Sequence, residues 1–123
     1  MRFVVLWHQT PPNYPRRDHW DFMLEVDGML RTWALEAEPS PGQPIQAEAI
    51  SDHRIEYLTY EGPISGGRGC VARWDAGTYE TLEQSGSLWR VRLTGAKLHG
   101  EVRLEQIEAQ RWLLSCGDTA IEG

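Results

Sequence analysis

Short runs of alternating apolar and polar residues follow one another along the chain, separated by glycine, proline and aspartate. Such a pattern is typical of β-strands joined by tight turns, as in small sandwiches and barrels. About eight or nine strands are predicted. The candidate runs are ten in number: Arg2–Trp7, His19–Val26, Met29–Leu35, Ile45–Ile50, Ile55–Tyr60, Cys70–Trp74, Thr78–Glu83, Leu88–Leu93, Leu98–Ile107 and Arg111–Cys116. No segment has convincing helical spacing, so the chain is predicted to be all-β.

The connections between these runs are predicted from their glycine, proline and aspartate residues. Pro39–Pro44 is predicted as a loop, and Asp52-His53 as a corner between two weaker strands. Asp75-Ala76-Gly77 has the composition of a turn. Gly62–Gly69 contains four glycines, but it has no lysine of the kind that holds phosphate in nucleotide-binding loops, so a structural turn is predicted there.

The first hairpin can be assigned a register. A two-residue turn at Asp27-Gly28 pairs Val26 with Met29, and this pairing fixes every pair further along the two strands. One face then carries the predicted core residues, which are Trp20, Phe22, Leu24, Val26, Met29, Trp33 and Leu35. The other face carries His19, Asp21, Met23 and Glu25 opposite Glu36, Ala34, Thr32 and Leu30. This second face is predicted to form a polar hollow and is the best candidate for chemistry.

Composition and charge narrow the possible classes of protein. The 123 residues fit one domain, 1–123, and 41% hydrophobic residues are ordinary for a soluble globular protein. The longest apolar run, Phe3–Trp7, is too short to cross a membrane or to form a signal peptide, so a cytoplasmic protein is expected. The net charge of −6 argues against binding nucleic acid through bulk positive charge. It leaves open an enzyme that handles one strand end through a metal ion. Cys70 and Cys116 are predicted to be reduced and buried.

Two histidines and one aspartate form the candidate metal site. His19 and Asp21 are two residues apart on one strand, so their side chains lie on one face and can share an ion. His8, just past the first strand, is the candidate third ligand. Two imidazoles and one carboxylate suit Mn²⁺, Zn²⁺ or Fe²⁺ and leave positions for water and substrate. The alternative is a strand with a solvated polar face. His53 is a candidate general acid or a donor to a phosphate oxygen, unless it only caps a turn.

Several ordered motifs resemble the 3′-phosphoesterase domain found at the N-terminus of bacterial DNA ligase D and as free-standing proteins. The first is His19-Trp20-Asp21-Phe22-Met23-Leu24-Glu25, which resembles a His-Tyr-Asp-Phe-Arg-Leu-Glu segment of that family. The others are Phe3-Val4-Val5 with His8, Thr32-Trp33-Ala34 after Asp27-Gly28, Asp52-His53-Arg54-Ile55-Glu56-Tyr57, Glu61-Gly62-Pro63-Ile64, Trp74-Asp75-Ala76-Gly77-Thr78-Tyr79-Glu80, Leu93–Gly100 and Trp112-Leu113-Leu114. They run nearly end to end, and a free-standing member is expected.

The resemblance implies a fold, a cofactor and a reaction. The implied fold is a compact closed or nearly closed β-barrel of about eight strands. The implied reaction removes 3′-terminal ribonucleotides and 3′-phosphates from nucleic acid in DNA repair, with a divalent metal, usually manganese, although zinc or another ion is possible. By position, His8, His19 and Asp21 match the metal ligands, and His53 and Tyr57 match residues that contact the phosphate. The implied partner is a nucleic-acid 3′ end, and a protein of a repair complex is a further candidate partner.

Some residues depart from the family pattern. Cations of the family fall at Met23, Ala37 and near Ile45 in this sequence. Such groups neutralise a phosphate in the transition state, so the predicted phosphate site is short of positive charge. The stretch from His8 to His19 is longer than usual and contains three prolines. Arg16 and Arg17 lie in this stretch and are predicted to replace part of the missing charge.

Two other functions remain open at this point. The acidic surface and the missing cations favour a catalytically weak or silent module that binds a metal or a protein partner. A His-x-Asp sequence with a distant histidine also occurs in the iron site of non-haem oxygenases. The chain lacks an obvious arginine motif for an oxygenase cosubstrate, and the family resemblance points elsewhere.

Overall fold

The computed structural model describes residues 1–117 and contains a closed antiparallel β-barrel. The nine strands are β1 (Arg2–Gln9), β2 (His19–Val26), β3 (Met29–Leu35), β4 (Ile45–Arg54), β5 (Gly62–Pro63), β6 (Cys70–Gln84), β7 (Leu88–Gly95), β8 (His99–Glu108) and β9 (Arg111–Cys116). Their order is β1-β2-β3-β4-β9-β8-β7-β6, and β1 also pairs with β6, which closes the barrel. The short β5 adds to β6 outside this ring. The all-β prediction and the closed eight-stranded barrel are confirmed.

The first hairpin has the predicted register. Val26 pairs with Met29, Phe22 with Trp33 and Trp20 with Leu35. Asp27 and Gly28 have φ angles of 51° and 80°. Positive φ at both central residues is the requirement of a turn whose twist matches the two strands that it joins. The aspartate-glycine pair therefore determines which side chains of β2 and β3 enter the barrel.

Aromatic and aliphatic side chains fill the inside of the barrel. Phe22, Leu24 and Trp33 are completely buried there, as predicted. The Trp33 ring meets those of Trp89 and Trp112 edge-on, with centroids 6.0 Å and 5.7 Å away. Three residues of the predicted core face differ from the prediction. Trp20 and Val26 are only partly buried and pack against the edge of the core, and Met29, next to the hairpin turn, is exposed.

A second apolar cluster lies outside the barrel, on the face that the sequence indicated as a polar hollow. Its buried members are Val4, Leu6, Met23, Leu30, Leu58 and Val71. The prediction of a polar hollow is therefore wrong for most of this face. Its polar groups lie mainly at the end where His19 and Asp21 are found. The physical reason is that a later segment of the chain covers β1, β2 and β3, so both faces of these strands are buried.

The covering segment is a 3₁₀ turn at Ile55–Leu58, where the sequence predicted a strand. It follows β4, which continues through the predicted corner to Arg54. The turn contacts β1 and β3 and buries Leu58 against the outer cluster, with Tyr57 partly buried beside it. Burial of apolar side chains against a surface already formed by other strands outweighs the local preference of this run for an extended backbone.

The predicted turn at Asp75-Ala76-Gly77 is also wrong, because these residues lie inside the long strand β6. The buried Asp75 carboxylate accepts hydrogen bonds from the backbone N–H groups of Ala96, Lys97 and Leu98, at 2.8–3.1 Å. Gly77 is needed for close approach, since a Cβ there would lie 2.0 Å from the Thr94 carbonyl oxygen. This motif joins β6 to the turn between β7 and β8.

Two further expectations concern the cysteines and a membrane span. Within the described residues Cys70 and Cys116 are both free, and only Cys116 is buried. Burial raises the pKa of the Cys116 thiol to about 11. No helix in residues 1–117 is long and apolar enough to cross a membrane.

Candidate metal centre

Strand pairing brings together the three side chains predicted to bind a metal. His8 belongs to β1, because this strand extends to Gln9 and does not end at Trp7 as predicted. It pairs directly with His19 of β2. Asp21 follows on the same face of β2. All three residues are buried, and one potential ligand atom from each lies within 4.8 Å of the others. The predicted sharing of one face by His19 and Asp21 is confirmed.

Main-chain carbonyl groups orient both imidazoles. His19 Nδ1 is 2.7 Å from the Arg17 carbonyl oxygen, and His8 Nε2 is 2.8 Å from the Arg68 carbonyl oxygen. Because a carbonyl oxygen only accepts, each of these ring nitrogens must donate a proton. The nitrogens left over are His19 Nε2 and His8 Nδ1. These two atoms lie 2.9 Å and 3.3 Å from the oxygens of Asp21.

The resulting arrangement fits a cation. In the neutral form of each histidine, the remaining nitrogen presents a lone pair to a carboxylate oxygen that also carries lone pairs. In that form Asp21 Oδ1 receives no hydrogen bond from any residue in 1–117, although the side chain is buried. His19 and His8 can donate to the carboxylate only when their rings carry a second proton. Buried polar atoms are normally satisfied. A divalent ion or added protons would satisfy all three groups at once, and fixing a histidine through its other nitrogen is a common feature of metal sites.

The acid–base properties of the group agree with this geometry. Burial raises the pKa of the Asp21 carboxyl, but hydrogen bonds with His19 and His8 outweigh it and bring the pKa to about 2. Burial lowers the pKa of His8, but Asp21 and the Arg68 carbonyl outweigh it, so this pKa is raised. Asp21 is therefore an anion at neutral pH, and His8 holds a proton more tightly than a free histidine does.

His53 and Tyr57 line the same cavity as His8 and Asp21. This cavity has a volume of about 300 Å³. His53 reaches it from β4, where it pairs with Leu30 of β3, and its Nδ1 donates to the Ser51 carbonyl oxygen at 2.9 Å. The Tyr57 ring stands edge-on to the His53 ring, with centroids 5.7 Å apart. Both residues are thus placed where they can meet a group bound near His8 and Asp21.

Arg16 and Arg17 lie elsewhere, in a larger groove of about 920 Å³ on the other side of His19. Arg16 Nη2 is 2.8 Å from Glu48 Oε1, so its charge is already paired. Arg17 supplies the carbonyl that holds His19 and is exposed. Neither side chain lines the cavity with His53, and their predicted contact with phosphate stays a prediction.

The three positions at which family cations were expected have different surroundings. Met23 is completely buried in the outer apolar cluster and lines the cavity. Ile45 faces the inside of the barrel and does not line the cavity. Ala37 is exposed beyond the end of β3. Position 23 is the one of the three whose side chain faces the cavity.

Arg68 was not singled out by the sequence and also lines the cavity. It belongs to the Gly62–Gly69 segment, which the sequence predicted to be a structural turn. The only local signal was an arginine between glycines, in Gly66-Gly67-Arg68-Gly69. Arg68 comes close to the site because the loop returns to the end of β1, where the Arg68 carbonyl oxygen meets His8. This is a contact between distant parts of the chain, which local sequence patterns do not predict.

Comparison with known proteins finds one family and several relatives. The family described as "DNA Ligase D 3'-phosphoesterase domain" matches residues 13–106, a range that includes His19, Asp21, His53 and Tyr57 but not His8. The "Multifunctional non-homologous end joining DNA repair protein LigD" of Mycobacterium tuberculosis is 36% identical over 121 residues, which cover 90% of this chain and 15% of that protein. The "Multifunctional non-homologous end joining protein LigD" of Pseudomonas aeruginosa is 35% identical over 115 residues, covering 85% and 13%. The chain thus spans less than a fifth of the length of these relatives.

Proposed function

Because this chain belongs to the DNA ligase D 3′-phosphoesterase domain family, we propose that it is a metal-dependent phosphoesterase that acts on the 3′ ends of nucleic acid. Its substrates would be ends that carry a 3′-phosphate or a 3′-terminal ribonucleotide, and its product an end with a 3′-hydroxyl. The proposal includes a single domain over residues 1–123, a role in DNA repair in the cytoplasm, and a repair-complex protein as a possible partner.

One observation carries this proposal. The three converging ligand atoms of His8, His19 and Asp21 lie beside a cavity that His53 and Tyr57 also line. A metal site without a neighbouring substrate cavity would be expected of a purely structural ion. Here potential proton donors of two kinds adjoin the candidate ligands, which is the arrangement expected of a hydrolytic site.

The residues of the chain have distinct roles in the proposed reaction. His8 Nδ1, His19 Nε2 and an Asp21 oxygen would hold the ion. Manganese is proposed because the family resemblance implies it, and two nitrogens with one carboxylate are compatible with it as with zinc or iron. When bound, the metal supplies a Lewis acid and lowers the pKa of a bound water. The Arg17 and Arg68 carbonyls keep both imidazoles in the correct tautomer. Asp21 stays ionised and offsets the charge of the ion.

His53 and Tyr57 would handle the phosphate. His53 already donates through Nδ1 to the Ser51 carbonyl, so Nε2 is the nitrogen left for substrate. It donates to a phosphate oxygen or a leaving group only when the ring is doubly protonated, which would bring a positive charge to the site. Tyr57 would position the phosphate through its hydroxyl group. Arg16 and Arg17, across His19 from this cavity, would bind phosphates further along the strand.

A second function is favoured by one specific observation, the burial of Met23 at the position where the family has a cation. A catalytically weak or silent module that binds a metal or a protein partner would have such a site, in which the candidate metal ligands are present but few cations bind the phosphate. The two functions predict the same metal binding and differ in turnover.

A Mn²⁺-dependent assay on two primers, one with a 3′-phosphate and one with a 3′-terminal ribonucleotide, separates these functions. The wild type should release phosphate and the ribonucleotide only with metal, and Asp21→Asn should be inactive. Glu80→Gln, which removes an exposed carboxylate on β6, is the matched control and should retain activity. Metal binding without turnover would favour the module, whereas a wild type that binds no divalent ion would contradict the proposed enzyme.

A further inference from the structure

We propose that Arg68 binds the phosphate of the substrate and supplies the positive charge that Met23 does not provide. This inference rests on the proposed function and names a residue that would determine preference for a 3′-phosphate. It also gives the Gly62–Gly69 loop a role in substrate binding.

The main chain of Arg68 is fixed next to the candidate metal group. Its carbonyl oxygen accepts the hydrogen bond from His8 Nε2 at 2.8 Å, although the two residues are far apart in sequence. Arg68 lines the cavity that His8, Asp21, His53 and Tyr57 also line, and its guanidinium is held to Ser65, which is another lining residue. A phosphate held near the candidate metal ligands would therefore lie in a space that Arg68 borders, with the guanidinium held beside it at Ser65.

The guanidinium is anchored but keeps donors for a ligand. Arg68 Nε donates to the Ser65 carbonyl oxygen at 2.8 Å, and Nη2 lies 3.4 Å from the Ser65 hydroxyl oxygen. A guanidinium has five N–H groups, so most of them remain for a phosphate, which it can bind through two parallel hydrogen bonds. Within residues 1–117 Arg68 forms no ion pair, in contrast to Arg16 with Glu48. No acidic side chain among these described residues therefore neutralises its charge.

The loop that carries Arg68 is held in place at both ends. Ile64 N–H donates to the Gly69 carbonyl oxygen at 2.8 Å, which closes the loop. Gly69 has a φ of 93°, and a Cβ there would lie 2.0 Å from the Gln9 carbonyl oxygen. Only glycine allows this approach to the end of β1. Because the loop is pinned there, ordering the arginine for binding costs less conformational entropy.

Arg54 is the other cation that borders the cavity, and it provides the comparison. It is exposed at the end of β4, and among the described residues its side chain makes no hydrogen bond or ion pair that would hold it over the cavity. Replacing Arg54 should therefore reduce phosphate binding less than replacing Arg68, although both changes remove one positive charge.

The experiment compares Arg68→Ala, Arg68→Lys and Arg54→Ala by equilibrium binding without metal. The probes are two oligonucleotides of the same sequence, one ending in a 3′-phosphate and the other in a 3′-hydroxyl. We expect the wild type to prefer the 3′-phosphate and Arg68→Ala to lose roughly tenfold or more of that preference. Arg68→Lys should retain part of it, because a lysine keeps the charge but not the two-pronged geometry. Arg54→Ala should stay close to the wild type.

Titration with Mn²⁺ alone provides the second readout. Arg68→Ala retains the carbonyl that holds His8, so its Mn²⁺ affinity should equal that of the wild type, which also reports an intact fold. An unchanged 3′-phosphate preference in Arg68→Ala, or an equal loss in Arg54→Ala, would overturn the inference, as would a wild type without any preference. If the preference depends on Arg68 but no variant or wild type turns over substrate, the inference stands and the proposed hydrolase fails.

Discussion

His8 and His19 face each other across the β1–β2 ladder, with ring centroids 4.8 Å apart. Their proximity is determined by strand register, and the length of the segment between them has no direct effect on it. The long, proline-containing connection between these strands therefore does not prevent His8 and His19 from meeting at the candidate metal site. The unusual spacing of the two histidines in the sequence is compatible with an ordinary site.

Opposite pH dependences are expected for the metal-free and the metal-loaded protein. Because the pKa of His8 is raised in the folded metal-free protein, the stability from its protonated form is complete below about pH 6.5. That stability is lost as pH rises through the folded pKa. Metal binding needs His8 Nδ1 deprotonated, so Mn²⁺ affinity should rise over the same range.

Thermal unfolding at a series of pH values, with and without Mn²⁺, measures both dependences. His8→Gln is the control, because it lacks the titrating ring. The pH dependence of its melting temperature should therefore be similar with and without Mn²⁺, whereas the two dependences of the wild type should differ. A metal-free wild type whose stability, relative to His8→Gln, increases through this range would contradict the expectation.

Substituting Met23 tests the missing cation. Met23→Arg should lower the melting temperature, because a charge enters the outer apolar cluster, while the arginine stem can follow that cluster and place its head in the cavity. We expect faster release of phosphate from a 3′-phosphate end. Met23→Leu conserves volume and should cost less than about 1.5 kcal/mol of stability, without raising the rate. Equal rates in both variants would contradict this prediction.

Arg16 and Arg17 are expected to bind phosphates along the nucleic-acid strand and not the phosphate that reacts. Changing both to Ala should weaken binding of a long oligonucleotide and reduce the salt dependence of its affinity by a slope of roughly one to two. Hydrolysis of a nucleoside 3′-phosphate, which has no further phosphates, should be unaffected. Binding at several salt concentrations and turnover of both substrates are the measurements. Loss of nucleoside 3′-phosphate hydrolysis would place these arginines closer to the metal than the groove indicates.

Asp75 is expected to matter for stability alone. Asp75→Ala leaves the N–H groups of Ala96, Lys97 and Leu98 without their carboxylate acceptor, which should cost about 3 kcal/mol or more in the free energy of unfolding. Mn²⁺ affinity of the folded variant at low temperature should match that of the wild type. Denaturant unfolding and metal titration check the two halves of this expectation, and a change in metal affinity would contradict it.

Local sequence rules predicted the parts of the fold that depend on neighbouring residues. The Asp27-Gly28 turn set the register of β2 and β3, and that register placed His19 and Asp21 together on one face. The same rules failed for Asp75-Ala76-Gly77, where the glycine serves close packing against Thr94 instead of a turn. They failed again at Ile55–Leu58, because burial against β1 and β3 decides the conformation of this segment. Arg68 reaches the cavity through the same kind of long-range contact.

The two hydrogen bonds that orient His8 and His19 end on main-chain oxygens of Arg68 and Arg17. A carbonyl group survives any substitution of its side chain, so mutation at either position leaves the tautomer of the partner histidine unchanged. Selection can therefore exchange the side chains around the proposed metal site without changing the orientation of its two histidines. Descendants of one ancestral barrel can inherit the same metal chemistry while neutral drift and adaptation revise which phosphate ester they accept.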